Sequence, residues 1–314
     1  MQVRIHYTDR DYLRFLWVDG DGRLAVYRMT SISFGATCFP FLLAVIIRYL
    51  LKYVATTTVA KQLIGRLYAD DLIVTAKATA ELSRTHDDSV ALFDQCSMPL
   101  HKWRSSDAQL DQAWTDGQPP EHTKVLGTSW WPAPDCLQPC LPKTDVEQVT
   151  RRTLLRQTGM IFDPLGLFGP FTVQLKFLIR QALLLSDSWD LPVSDQIAAG
   201  FKKLVGQFDQ LADLRIPRSV LTNASDCTLA LFCGASHQGV GAAVYVIYWI
   251  GSVRSNLLVS RSKLSTQRTT PELELEAALL GIRLLVDVAK IMSIRRWRMY
   301  TDSTTDGFRA TPIG

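Results

Sequence analysis

Short apolar runs alternate with polar breaks through the first third of the chain. Residues 12–18 read as a strand, Asp19-Gly20-Asp21-Gly22 as a turn and residues 23–29 as the returning strand. Ser33-Phe34-Gly35 interrupts the pattern, and an apolar helix is predicted from about residue 38 to 54. Pro40 falls in its first turn, where a missing N–H is harmless. Two further apolar runs, 62–67 and 72–76, flank Tyr68-Ala69-Asp70-Asp71. Strand, tight turn and strand is the natural reading, because turn-compatible Asp residues bound both runs. A helix over 77–94, a short strand over 100–104, a polar loop over 105–123 and a strand over 124–131 follow.

Helical spacing dominates residues 149–214 and breaks at Asp163-Pro164-Leu165-Gly166. Residues 215–226, with Ile216-Pro217-Arg218, read as a linker. Beyond it, strands are predicted at 229–233, 241–250 and 257–261, a helix at 271–290 and a strand at 297–301 that ends in Asp302-Ser303. No internal repeat interrupts this order.

Length and composition sharpen the picture little. A chain of 314 residues suits about two domains, and 47% hydrophobic with 20% charged residues can bury a core. A net charge of +4 fits a polyanion partner without demanding one. Six cysteines without a signal peptide point to a reduced intracellular compartment, cytoplasm or nucleus. Cys136 and Cys140 form a lone C-x₃-C with no second ligand pair, so zinc is not expected. Residues 39–55 are apolar, but Arg48 and Lys52 interrupt them, so a buried helix is expected and no membrane contact.

The chemistry begins at the hairpin tip. Two adjacent carboxylates there offer oxygen ligands to Mg²⁺, and a two-metal site can drive in-line phosphoryl transfer. A bare Asp-Asp pair is more often a solvated turn, so the flanking chain decides.

That flanking chain resembles the palm of a reverse transcriptase, and more closely the Pol polyproteins of BEL/Pao LTR retrotransposons. The resemblance rests on Asp9-Arg10-Asp11-Tyr12-Leu13-Arg14-Phe15-Leu16-Trp17, Tyr27-Arg28-Met29-Thr30, Phe34-Gly35-Ala36-Thr37, Tyr68-Ala69-Asp70-Asp71, Lys102-Trp103-Arg104-Ser105, Lys124-Val125-Leu126-Gly127 and Ile161-Phe162-Asp163-Pro164-Leu165-Gly166-Leu167. Downstream, Phe232-Cys233-Gly234-Ala235-Ser236, Pro271-Glu272-Leu273-Glu274-Leu275 and Tyr300-Thr301-Asp302-Ser303 resemble the RNase H domain that follows the polymerase. The resemblance implies an α+β reverse-transcriptase palm and thumb, then a helical connection, then an α/β RNase H-like domain. The corresponding boundaries are 1–140, 141–222 and 223–314, the last truncated at its C-terminus. Such a stretch is also described as a Pao retrotransposon peptidase region, yet no Asp-Thr-Gly or Asp-Ser-Gly motif is present.

By resemblance, Asp70 is the main metal ligand of the palm and Asp71 its assistant. Lys102 holds the place of a lysine that steadies the leaving pyrophosphate; a solvated strand lysine reads the same way. Phe34, Gly35 and Tyr68 sit where template-primer and nucleotide are contacted, Gly35 because it lacks a Cβ. A simple turn glycine is the plain alternative there. The third palm carboxylate and the fingers are expected upstream of residue 1, so this chain is expected not to polymerise DNA. In the RNase H part, Glu274 and Asp302 match metal ligands, whereas Gly234 stands where the family carries Asp. Glu272 and Glu276 point to other helix faces and read as solvated, and His237 reads as a surface residue. Mg²⁺ or Mn²⁺ is the implied cofactor, with no metal bound in this fragment as the alternative. Implied partners are an RNA/DNA template-primer or RNA–DNA hybrid, dNTP in the parent enzyme, and other parts of the Pol polyprotein. The basic residues Lys102, Arg104, Arg151, Arg152, Lys176, Arg180, Lys202, Lys203, Arg295, Arg296 and Arg298 could track phosphates collectively. A catalytically inactive Pol fragment is the leading expectation. A non-catalytic nucleic-acid-binding protein on the same scaffold is the alternative.

Overall fold

The computed structural model describes residues 3–33, 35, 37–54, 58–68, 71–141, 146–185, 188–211, 213–220, 227–265 and 268–301. Two compact units divide the chain, Met1–Glu121 and His122–Gly314.

In the first unit a 3-10 turn (Tyr7–Leu13) occupies the start of the first expected strand. Strands β1 (Arg14–Val18) and β2 (Leu24–Arg28) then pair antiparallel, with Phe15 opposite Tyr27 and Leu16 opposite Val26. Asp19 closes their turn, its carboxylate accepting from the N–H groups of Asp21 at 3.0 Å and Arg23 at 2.8 Å. Helix α1 (Phe39–Tyr49) runs into a π-helical turn (Leu50–Val54). Helix α2 (Thr58–Leu63) lies partly where a strand is expected from sequence. Val59, Ala60 and Leu63 share one helical face and bury against Ile47, Leu51, Leu92 and Phe93, the unit's core. An apolar run this short fits helix or strand, and packing chooses. The hairpin itself is present but minimal: β3 (Leu67–Tyr68) and β4 (Asp71–Leu72) pair Leu67 with Leu72 and Tyr68 with Asp71. Helix α3 (Thr79–Gln95) follows as expected. Residues 100–104, expected as a strand, are irregular. Helix α4 (Ala108–Trp114) forms inside the expected loop, because Asp107 caps it through the N–H groups of Gln109 and Leu110.

The second unit contains two sheets and a helical layer. Strands β5 (Thr123–Val125), β6 (Thr128–Trp131), β7 (Cys136–Gln138) and β8 (Ile216–Pro217) pair antiparallel in that order. The single strand expected over 124–131 is therefore a hairpin, turned at Leu126 and Gly127, both with positive φ. Helices α5 (Arg151–Met160), α6 (Gly169–Leu185) and α7 (Asp195–Gly206) enclose a core around Leu154, Leu175 and Phe201. Thr150 and Thr153 form a capping box at the start of α5.

The larger sheet has the order β11-β10-β9-β12, with β9 (Thr228–Ala235), β10 (Gly239–Ile250), β11 (Ser252–Leu264) and β12 (Trp297–Thr301). The first three form an antiparallel meander, and β12 runs parallel to β9. A parallel neighbour needs a crossover, and α8 (Thr270–Met292) provides it. Leu273, Ala277, Gly281 and Leu285 recur every fourth residue and bury onto the sheet. The sheet answers with Leu229 and Leu231 on β9 and Val244 and Val246 on β10, all fully buried. Gly281 permits this close approach: a Cβ there would meet Leu231 Cδ1 at 2.9 Å and Ala242 Cβ at 3.3 Å.

The Asp163-Pro164-Leu165-Gly166 break is a corner that ties the helices to this sheet. The Asp163 carboxylate accepts from Leu167 N–H at 2.8 Å and Phe168 N–H at 2.7 Å. Ser260 of β11 donates its N–H to Leu165 O at 2.8 Å and its hydroxyl to Gly166 O. Among the described residues, no helix is long and apolar enough to cross a membrane.

Candidate functional site

Strand alternation decides what each residue of β9 can do. Leu229, Leu231 and Cys233 point to the α8 core, so Phe232 and Gly234 face the other way. That second face floors a groove of about 650 Å³, lined by Phe232, Gly234, Gly241 and Tyr300 of the sheet and Gly169 and Val173 of α6. Phe232 stacks on Tyr300 with ring centroids 5.0 Å apart and meets Tyr245 edge-on at 5.7 Å. Gly234 pairs with Gly241 across the ladder, so two glycines face each other where the groove reaches the backbone. On the other side of β9, Thr301 pairs with Cys233. Asp302 lies outside the described residues.

Glu274 sits on α8 beside Leu273 and is half-buried. Its two acidic neighbours are both engaged. Glu272 closes the capping box, accepting from Thr269 N–H at 2.9 Å and from its hydroxyl at 2.8 Å. Those bonds, the backbone one foremost, hold its carboxyl below the usual glutamate range. Glu276 accepts from Lys263 Nζ at 2.5 Å and from Arg268 at 3.4 Å, and the lysine bond, first among the causes, lowers its carboxyl as well. These two glutamates are not a plain solvated face: one caps the helix and the other ties it to β11. Both carboxylates are thus already paired within the domain.

In the first unit, Asp71 and Tyr68 form the ends of the hairpin turn, both exposed. Asp70 and Phe34 lie outside the described residues. Gly35 has φ +87 with open space around its missing Cβ, so its backbone conformation is what calls for glycine there. Lys102 is exposed and has φ +59, an uncommon left-handed conformation for a residue with a side chain. Of the expected metal ligands, Asp71 and Glu274 are described, the first in one unit and the second in the other. Among the described residues, no group of three or more His, Cys, Asp or Glu could hold a metal ion. The described carboxylates thus do not fit a metal centre by themselves.

The structure separates the basic residues that sequence reasoning grouped together. Arg104 is buried and forms a bidentate pair with Asp111 at 2.9 and 3.1 Å, with a further bond to Pro120 O. Arg151 is buried over the Trp189 ring, 4.8 Å from its centroid. Both are packing residues rather than phosphate contacts. Arg298 stays exposed. The Phe232–Tyr300 stack was not foreseen, although a large aromatic on the alternate phase of a buried strand is a readable sign.

Residues 150–303 match the family described as the Pao retrotransposon-like RNaseH-like domain. That match takes in just under half of the chain, and it is residues 150–303 that belong to this domain family. The matched region opens at the α5 cap and takes in the meander, the α8 crossover and β12, an RNase H-like α/β fold. No curated protein matches the chain. Two solved structures resemble this chain. One is a foamy viral protease–reverse transcriptase dRH in complex with double-stranded DNA, at 13% identity and TM-score 0.49, covering 96% of this chain and 47% of that one. The other is a foamy viral protease–reverse transcriptase in complex with double-stranded DNA, at 14% identity and TM-score 0.46, covering 96% and 57%. The chain spans about half the length of these two structures.

Proposed function

We propose that the chain is a segment of a retrotransposon Pol protein whose RNase H-like domain no longer hydrolyses RNA. Residues 1–140 derive from a reverse-transcriptase palm and thumb on this reading, and residues 141–222 from a helical connection. The ancestral activities are RNA-directed DNA synthesis and cleavage of the RNA strand of a hybrid. The substrates implied are a template-primer or an RNA–DNA hybrid, with dNTP and the other Pol regions belonging to the parent enzyme. Asp70 and Asp71 in the palm, with Lys102 beside the leaving group, and Glu274 and Asp302 in the RNase H part are the residues that would act, with Mg²⁺ or Mn²⁺ as cofactor. Phe34, Gly35 and Tyr68 would contact template and nucleotide.

The observation that carries the loss of hydrolysis is Gly234. Metal-assisted hydrolysis needs carboxylates that converge on the cations. The central strand β9 brings no oxygen from a side chain at that position, and its cross-strand partner Gly241 brings none either. Glu272 and Glu276 are committed elsewhere.

A second reading, a non-catalytic nucleic-acid-binding protein, is favoured by the sound packing of the scaffold. Leu229, Leu231, Val244, Val246 and Ala277 are all fully buried, so the domain keeps its core while lacking the ligand. The test is cleavage of an RNA–DNA hybrid by the purified chain with Mg²⁺ and, separately, Mn²⁺. No metal-dependent cleavage is expected. Turnover that disappears in Glu274→Ala would overturn the inactive reading. A salt titration of hybrid binding addresses the second reading, which fails if no binding is seen at low salt.

A further inference from the structure

The helical layer of the second unit carries an apolar trough, bordered by Leu264 of β11 and by Trp189. Two cavities of about 460 and 490 Å³ run along it and share Leu155 and Gly159. Leu155 and Gly159 of α5 and Ile179 and Leu183 of α6 line its floor. Leu155 is 50% exposed and Leu183 42%. Arg152 and Arg156 of α5 and Lys176 and Arg180 of α6 rim it. The spacing is that of one helical stripe on each side: 152, 155, 156, 159 against 176, 179, 180, 183.

No Asp or Glu lines either cavity. Arg156 and Lys176 have no ion pair among the described residues, whereas Arg152 reaches the exposed Asp190. Arg180 donates to Ser265 O. Gly159 is the telling residue. It lies in the last turn of α5, and nothing lies within 4 Å of the Cβ that another residue would place there. No neighbour requires its small size; its effect is to keep the trough open.

We infer that this trough receives an acidic amphipathic α-helix of a partner protein. The aliphatic floor rewards an apolar stripe, and the cationic rim on both sides selects carboxylates flanking that stripe. A nucleic-acid backbone would answer the rim but set phosphates against leucines, so it fits less well. Residues 152–159 extend about 10 Å at the helical rise, room for about two turns of the partner with anchors at i, i+3, i+4 and i+7. The inference stands on these residues alone and does not depend on whether the RNase H-like domain is active.

The probe is a labelled helical peptide with leucine at i, i+3, i+4 and i+7 and glutamate on both flanks. The comparison probes are the same peptide with lysine for glutamate, and an RNA–DNA hybrid. Binding of the glutamate peptide to the full chain is expected to exceed that of the lysine peptide by about tenfold or more. Gly159→Leu fills the floor while favouring helix, so it should weaken the glutamate peptide by about tenfold without lowering the melting temperature. Arg156→Glu should weaken it comparably. The inference is overturned if the lysine peptide binds as well, or if neither variant weakens binding. It is also overturned if the hybrid displaces the peptide and is itself sensitive to Gly159→Leu, which would make the trough a nucleic-acid site.

Discussion

Gly166→Ala tests the corner that joins the helical layer to the large sheet. Gly166 has φ +72, a region that costs an alanine roughly 1–2 kcal/mol. The added Cβ would also overlap the Ser260 carbonyl oxygen and stand 2.7 Å from its carbon. Those atoms are backbone of β11, held in register by pairing of Ser260 with Ala243, so the corner must lift instead. Lifting it breaks the bond from Ser260 N–H to Leu165 O and the bond from the Ser260 hydroxyl to Gly166 O. At about 0.5–1.5 kcal/mol for each bond, the total loss comes to roughly 2–5 kcal/mol. That is a large share of the ~5–15 kcal/mol that keeps a domain folded. Urea denaturation should show an earlier midpoint, and hydrogen exchange in the full chain should show the Ser260 amide opening first. Gly159→Ala is the matched control: with open space around it, that change should be neutral or stabilise by up to about 1 kcal/mol. If Gly166→Ala unfolds within about 1 kcal/mol of the unaltered chain, the close-approach argument is wrong.

Asp111→Ala should loosen α4 and the adjoining α3, because it strands Arg104, whose side chain is only 9% exposed. The expected loss is about 3–5 kcal/mol, read as faster exchange of α4 amides. Asp190→Ala removes an exposed partner of Arg152 and should leave α5 amides unchanged; equal effects of the two variants would refute the distinction. The start of α8 should weaken in acid. Glu272 and Glu276 have folded values held below the ordinary glutamate value of 4.5, so their contribution is complete above that pH and is lost as pH falls through the lowered values. The Glu272→Gln, Glu276→Gln double variant should show a flatter acid limb in α8 amide exchange; an unchanged limb would sink the assignment.

The larger sheet and its crossover helix were legible in the sequence because their signals are local. Alternating apolar positions over β9 to β11 and the fourfold spacing Leu273, Ala277, Gly281, Leu285 each report a single element's buried face. The pairing of β3 with β4 was legible for a similar reason, since its two strands are close neighbours in the chain. The strand expected before it gave way to α2, where Ala60 and Leu63 are buried by α3 residues some thirty positions on. Helix α4 was hidden by a polar composition, although the Asp107 cap marks it.

The candidate site divides along the same line. The sequence by itself determined that position 234 carries glycine and that acidic residues recur at Glu272, Glu274 and Glu276. The Thr269–Glu272 capping box is also local, whereas only the tertiary structure decided that Glu276 pairs with β11. It likewise decided that Arg104 is buried while Arg156 rims an open trough, and that Gly166 meets Ser260, 94 positions away. Periodicity is written by neighbours in the chain. Charge pairing and close approach are set by residues that folding alone brings together, and their energies depend on burial that no local pattern records.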